Sequence, residues 1–356
     1  MSGTGEVVAG HPVLHRFARW LWAAVLRSTG ALLWAERSLR AENAVVVLML
    51  HRVLDNDTFR KTCSLPGMLV RKPTFERLAA YLTKRFTVVA LTKEARAEAI
   101  GKLRMALTFD DGWADNRHVA LPIAAKYGLP LTVFICPAVA GSIFPFWPEK
   151  LVAVLRASED RPPLSEVEEA IAALKNRKPA QRDQWLAALE RSVGRVETVL
   201  EDRVLSSEEI REMSAAGVQL GSHTQTHALL TMMEPQLAQA EITASKQAIE
   251  HMLGARCEAF SYPNGDWSPE IRRMVEEAGY RIACTTDHGA WTAASDPLAI
   301  PRANICEENL TGPWGGFSPA LFGYTTYWKA WRAERRKRRS QRSRTSGSPK
   351  KAPVAA

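Results

Sequence analysis

Short apolar runs and helical periodicities alternate along most of this chain. Val45–Leu50 (VVVLML) is a continuous β-branched run, too short for a buried helix, and reads as a strand covered on both faces. Arg104–Phe109 (RMALTF) and Leu131–Ile135 (LTVFI) are of the same kind. Helical patterns over 73–84 and 121–127 separate them, and 86–91 offers a further strand. Over 142–205 the alternation lapses into charged helical segments broken by Pro162-Pro163 and Lys178-Pro179, which predicts a helical insertion. It then resumes: helix 207–216, strand 218–222, helix Pro235–Leu253, strand 258–261, helix 269–278, and short strands at 281–285 and 298–301. Repeated βα units predict a parallel sheet, either closed or doubly wound. Five residues, His51, Asp110, Asp111, His223 and Tyr262, immediately follow expected strands. Chemistry spread over the carboxyl ends of several strands favours a barrel, since an open sheet concentrates it at one switch point.

The flanks have a different texture. Over 13–41 the chain is rich in Trp, Leu and Ala, but its longest uncharged runs, 20–26 and 28–35, fall well short of the ~20 residues a spanning helix needs. No small-residue cleavage site follows a clean apolar core, so no secretory signal is read and a cytoplasmic protein is expected, at most peripheral to the inner membrane. On a helical wheel Arg16, Arg19, Arg27 and Arg37 cluster, with Leu14, Phe17, Leu21, Val25, Leu32 and Leu39 roughly opposite. That is an amphipathic helix, weakened at Gly30, whose apolar face packs on the body or lies on an anionic membrane surface. The expected organisation is an N-terminal helix (1–43), a barrel (44–310) carrying the insertion at 142–205, and a basic, largely disordered tail (311–356).

Charge refines this division. The net charge is +9, yet residues 329–351 alone hold eleven Lys and Arg against one acid, leaving the remainder of the chain near −1. The basic character belongs to the tail, and the body has no basic groove of the kind that reads nucleic acid. Cys63, Cys136, Cys257, Cys284 and Cys306 are scattered and odd in number, which excludes a complete disulfide framework and favours small buried hydrophobes.

Two motifs carry candidate chemistry. In T-F-D-D-G, Asp110 and Asp111 follow a strand and point in different directions, so one carboxylate can bind a cation while the other faces a water; a plain turn uses the same residues. In G-S-H-T-Q-T-H, His223 and His227 are four apart and share a face if the turn becomes helical. Two imidazoles and one carboxylate leave a coordination position open, as catalytic metal sites do. Such an ion would lower the pKa of a bound water and polarise a carbonyl while the free carboxylate takes the proton, which is what amide hydrolysis requires.

Together T-F-D-D-G, S-H-T-Q-T-H and F-S-Y-P-N-G, in this order, resemble the signature motifs of the polysaccharide deacetylases (carbohydrate esterase family four, the NodB-homology domain). The resemblance runs from about Val45 to Ile305. L-M-L-H-R-V at 48–53 is similar to the opening strand of the branch that modifies bacterial exopolysaccharides. It implies a distorted seven-stranded (β/α) barrel. It also implies Asp110 as base, Asp111, His223 and His227 as ligands of a divalent ion (zinc first, cobalt or nickel as alternatives), and the Tyr262 N–H as an oxyanion donor.

The chain departs from the family pattern in two places. Phe260 stands where many members carry the Arg that orients the base, and the late strand reads I-P-R-A-N, with Arg302 and no histidine for the general acid. The branch resemblance assigns the acid to His51, with His288 in reserve, and Arg302 is a candidate partner for Asp110. The expected activity is removal of an N-acetyl group from an amino sugar in a polysaccharide or glycan precursor. The alternatives are deacetylation or deformylation of a lipid-linked sugar at a membrane, and a non-catalytic glycan-binding protein on the same scaffold. Phe144, Phe146 and Trp147, and also Trp267 and Trp291, could stack on a sugar or simply pack.

Overall fold

In the computed structural model, which describes residues 12–96, 101–158, 162–194, 196 and 199–345, the apolar runs form seven parallel strands. They are β1 (Val45–Leu50), β2 (Arg104–Phe109), β3 (Leu131–Ile135), β4 (Gln219–Ser222), β5 (Ala259–Ser261), β6 (Ile282–Cys284) and β7 (Arg302–Asn304), in the order β7-β1-β2-β3-β4-β5-β6. A two-residue strand, Thr87–Val88, also pairs with β2; the sequence reading had it running over 86–91. The seam lies between β6 and β7, where Cys284 bridges Ile300 in parallel and Ala283 N–H donates to Pro297 O at 2.8 Å. The barrel is therefore nearly closed and distorted at one place. The final strand begins at Arg302 instead of 298–301; Pro301, which has no N–H to give a ladder, separates it from the bridge at Ile300.

Strand alternation divides the side chains. Val46, Leu48, Leu50, Met105, Leu107, Phe109, Val133 and Phe260 join the large core beneath the outer helices, whereas Val45, Val47, Ala106, Phe134, Ala259 and Cys284 fill the barrel interior. Small inward residues make room there. A Cβ on Gly221 would stand 2.6 Å from the Phe134 ring.

The insertion forms three helices, α3 (Trp147–Ala157), α4 (Leu164–Lys175) and α5 (Pro179–Val193), around a small core of their own that includes Leu151, Val152, Ile171, Leu174 and Leu186. It is tied to the barrel by Arg52, whose buried guanidinium donates to Asp115 (Nε, 2.9 Å), to Asp202, Thr62 and Ser64 through Nη1, and to Glu201 O through Nη2. The Arg52 guanidinium also lies over the Trp113 ring at 4.2 Å.

The N-terminal helix is two helices, α1 (Pro12–Ser28) and α2 (Ala31–Ala41), broken at Gly30, whose φ of 76° ends one and starts the other. Residues 1–11 and 346–356 of the expected flanks lie outside the described residues. The stretch grouped with a disordered tail divides differently from expectation. Helices Pro319–Gly323 and Tyr324–Trp328 are packed, with Leu321, Phe322 and Tyr327 buried, and α6 (Lys329–Thr345) continues them. Apolar residues before the basic run, absent from the run itself, give this segment a core to join. All five cysteines are buried and unpaired.

Candidate metal centre and its base

The carboxyl ends of β2 and β4 deliver the metal-binding residue types to one point. Asp111 follows β2 with a left-handed φ of 73°, a conformation that costs a non-glycine residue of order 1 kcal/mol. Gly112 repeats it at φ 72°, where a Cβ would meet Ile135 Cγ2 at 2.8 Å. The Trp113 indole N–H donates to Asp111 Oδ2 at 3.0 Å, which leaves Oδ1 turned toward His223 Nε2 (3.5 Å) and His227 Nε2 (3.4 Å). Ligand atoms of the three residues all lie within 4.8 Å of one another.

His223 Nδ1 is 2.8 Å from Ser261 O, so this nitrogen carries the proton and Nε2 presents its lone pair inward. The turn that returns His227 is not helical, so the histidines converge by another route than the helical turn their spacing allowed. Thr224 (φ 65°) and His227 (φ 64°) are both left-handed. Polar partners hold the turn: Gln225 N–H and Thr226 N–H donate to Glu241 Oε2 at 2.9 and 3.0 Å, and Ala228 N–H donates to Thr224 Oγ1 at 3.0 Å. Two left-handed residues fold the chain back more tightly than a helical turn does. One carboxylate and two imidazoles side by side, Asp111 and His223 buried and His227 partly exposed, fit a borderline divalent cation of the zinc type.

Asp110 stands next to this group on the barrel interior. Arg302, from β7, binds it with both arms, Nη1 to Oδ1 at 2.7 Å and Nη2 to Oδ2 at 2.6 Å. The same guanidinium donates to Thr285 O, Thr108 Oγ1 and Ser261 Oγ. Burial by itself would raise the Asp110 carboxyl, but Arg302 and the neighbouring histidines hold it below the ordinary carboxylate range. Phe260 could not do this from its position, because it points outward against Tyr262 and Tyr280.

The remaining sequence candidates separate clearly. His51 follows β1; its Nδ1 is buried without a hydrogen-bond partner among the described residues. Burial lowers the His51 pKa, opposed by the charges of Asp111 and Asp110, so the ring feels the same centre. His288 is exposed, and the charges acting on it are Lys329 and Asp287. It does not join the site.

The oxyanion role implied for Tyr262 does not fit. Its N–H is committed to Cys284 O at 3.0 Å in the sheet ladder, and its hydroxyl donates to Leu298 O at 2.9 Å. Trp291 is buried inside the barrel and Trp267 packs on Tyr262 with ring centroids 6.4 Å apart.

Beside the centre, between the insertion and the loop after β4, opens a cavity of about 490 Å³ lined by Phe144, Phe146, Trp147, Arg182, His227 and others. Phe146 packs against the His227 ring at 4.8 Å, and Arg182 lies over Trp147 at 4.9 Å. Sequence reasoning missed four contributors. Trp113 orients Asp111 and Glu241 holds the turn before His227, Arg52 seats the insertion, and Glu149 is a buried carboxyl in the first turn of α3. Only Trp113, two residues past Asp111, lay close enough in the chain to be signalled.

A model of the family described as polysaccharide deacetylase matches residues 98–283. YxkH of Bacillus subtilis (strain 168) is 24% identical over 215 residues, which is 60% of this chain and 56% of that protein, so the match spans little more than half of this relative. Among solved structures, the Streptococcus pyogenes deacetylase PplD, in complex with acetate, superposes with a TM-score of 0.53 at 19% identity, covering 76% of this chain and 96% of that one. IcaB from Ammonifex degensii gives 0.50 at 16% identity, covering 75% and 93%. At these identities the structures show a shared fold.

Proposed function

The chain belongs to the polysaccharide deacetylase family, and from that premise we propose that it hydrolyses the N-acetyl group of an amino sugar in a polysaccharide or glycan precursor. The observation that carries this reading is the convergence of Asp111, His223 and His227 beside a carboxylate, Asp110, that Arg302 keeps ionised. Asp111, His223 and His227 would hold a divalent ion, zinc first. When bound, that ion would polarise the acetyl carbonyl and acidify water.

The protein's own groups do the rest. Asp110 takes a proton from the attacking water, and Arg302 fixes the direction of its lone pairs. Water oxygen adds to the acetyl carbon, the C–N bond breaks, and the sugar nitrogen leaves as the amine with a proton from His51, whose Nδ1 has no hydrogen-bond partner among the described residues. Phe146 and Trp147 offer apolar faces to the sugar in the adjacent cavity.

The test is metal content of the purified protein beside His223→Ala, then acetate release from soluble N-acetyl oligomers and from lipid-linked amino sugars. Chelation should abolish release and zinc, cobalt or nickel should restore it. Sugar binding with no acetate released at saturating metal would overturn the enzymatic reading. Near-normal turnover by His51→Ala with metal content unchanged would remove His51 from its role.

A further inference from the structure

The apolar stripe of α1 faces away from the protein. The sequence leaves two places for Leu14, Phe17, Leu21 and Val25, against the body or on an anionic membrane surface, and the structure does not put them against the body. The helix docks through Arg19, Trp20, Ala23 and Leu26. Ala23 packs on Ala320 and Leu321, and Arg19 donates to Asn309 Oδ1 at 3.3 Å. Leu14 is 65% exposed, Leu21 49% and Trp22 51%, with Phe17 and Val25 beside them on the outer surface. On the packed neighbour α2, Leu33 and Trp34 are exposed too, and Trp314, 80% exposed, meets Trp20 edge-to-face at 5.3 Å. Among the described residues, eight of the fifteen exposed large hydrophobics sit on this one layer, so the patch is not the ordinary scatter of a soluble surface.

Cations border the patch on two sides. Arg16 of α1, with Arg71 and Arg77, lines a cleft of about 440 Å³ that reaches Gly315, next to Trp314; Glu307 and Glu308 line it too, Glu307 beside Arg71, so three arginines face two acids there. On the other side Trp34 packs edge-on to Trp331 at 4.5 Å with Arg335 over it at 5.9 Å, and the exposed run Arg335–Arg339 follows on α6. Apolar side chains ending in tryptophans and rimmed by arginines match the boundary of a bilayer, where hydrocarbon gives way to anionic headgroups. A second copy of the same face would bring its arginines against these ones. No helix among the described residues is long and apolar enough to cross a membrane, so the contact is peripheral.

We propose that the outer face of α1 and α2, with Trp314, docks on an anionic lipid bilayer, and that the arginines of α1 and α6 hold it there through the headgroup charge. The inference rests on surface residues alone and stands or falls independently of the catalytic reading.

Co-sedimentation with phosphatidylglycerol-containing vesicles tests it, beside pure phosphatidylcholine vesicles. The full chain should bind the anionic vesicles, weakly or not at all the neutral ones, and lose binding as salt rises. Leu21→Asp with Trp22→Asp should lower the partition at least about tenfold, the loss expected when such side chains no longer reach hydrocarbon. Arg335→Glu with Arg336→Glu and Arg339→Glu should lower it about tenfold or more at low salt. Thermal melts of these surface variants should match the wild type. Failure to bind anionic vesicles, equal binding to both kinds, or unchanged binding by the Leu21/Trp22 variant would each overturn the proposal. So would a dimer in sedimentation equilibrium that this variant abolishes without any vesicle uptake, since the face would then join two copies.

Discussion

Two fully buried arginines organise this molecule, and they differ in how many carboxylates each must serve. Arg302 meets one, Asp110, with a two-armed contact inside the barrel. Arg52 is shared between two, Asp115 and Asp202, where the insertion joins the barrel. The carboxyls respond in opposite directions although both are buried. Asp110 lies below its ordinary range, whereas burial raises Asp115 despite Arg52 and the Val53 N–H bonded to it. One guanidinium per carboxylate keeps a charge available at the mouth of the site; one guanidinium for two spends the charge on holding elements together. The first arrangement suits a base and the second a brace.

The sharpest way to break this comparison is to remove the proposed base. Asp110→Asn keeps the shape and one of the two Arg302 hydrogen bonds, its NH2 replacing the other acceptor oxygen, and it should lower kcat by about 10²- to 10⁴-fold with metal content unchanged. Activity within a few-fold of wild type would put the base elsewhere. Next in size, Arg302→Met leaves Asp110 buried and uncompensated. Its carboxyl should rise, so the acidic limb of the kcat/KM profile should move to higher pH, with activity at neutral pH falling and partly recovering in base. An unmoved limb would mean that Arg302 is a brace like Arg52. Arg52→Met should act on stability, by about 3–5 kcal/mol for one broken buried network, read as a lower melting temperature. The residual activity of the folded fraction should be lost through KM more than kcat, because the insertion wall of the cavity loosens.

How far the sequence foretold this follows from the range of each interaction. The strands were legible because they are buried on both faces and read as unbroken apolar runs, and the centre because Asp110, Asp111 and His223 come straight after such runs, with His227 four residues beyond His223. What lay hidden was pairing across long separations. Arg302 was only a candidate for Asp110, 192 residues away, and nothing near Arg52 pointed to Asp202, 150 residues on. The form of the His223–His227 turn stayed open because spacing alone cannot tell a helical turn from two left-handed residues held by Glu241. The Tyr262 amide was assigned by resemblance, while its commitment to Cys284 O depends on where β6 lies in the sheet. For α1, periodicity revealed a stripe but could not say which way it faces; that depends on the small side chains, chiefly Ala23, that fit the contact with Pro319–Gly323.

Glu149 gives the smallest and most discriminating test of the idea that carboxylate excess marks the brace. It is a further acid under the influence of Arg52 and Asp202, and burial, then the Asp111 charge, push it up to about 8 against an ordinary 4.5. A carboxyl raised on folding binds its proton more tightly in the native state. It therefore costs nothing below pH 4.5, and its penalty grows as pH climbs from there toward about 8. Glu149→Gln removes the penalty while keeping the shape. In chelator-treated protein the variant should melt with the wild type near pH 4.5 and above it by several degrees near pH 8. If the gain were the same at both pH values, the carboxyl would not be titrating in that window; if the variant melted lower at high pH, Glu149 would be ionised and paired. In either case the crowding of acids around Arg52 would cease to explain why this arginine anchors structure while Arg302 is left to the proposed base.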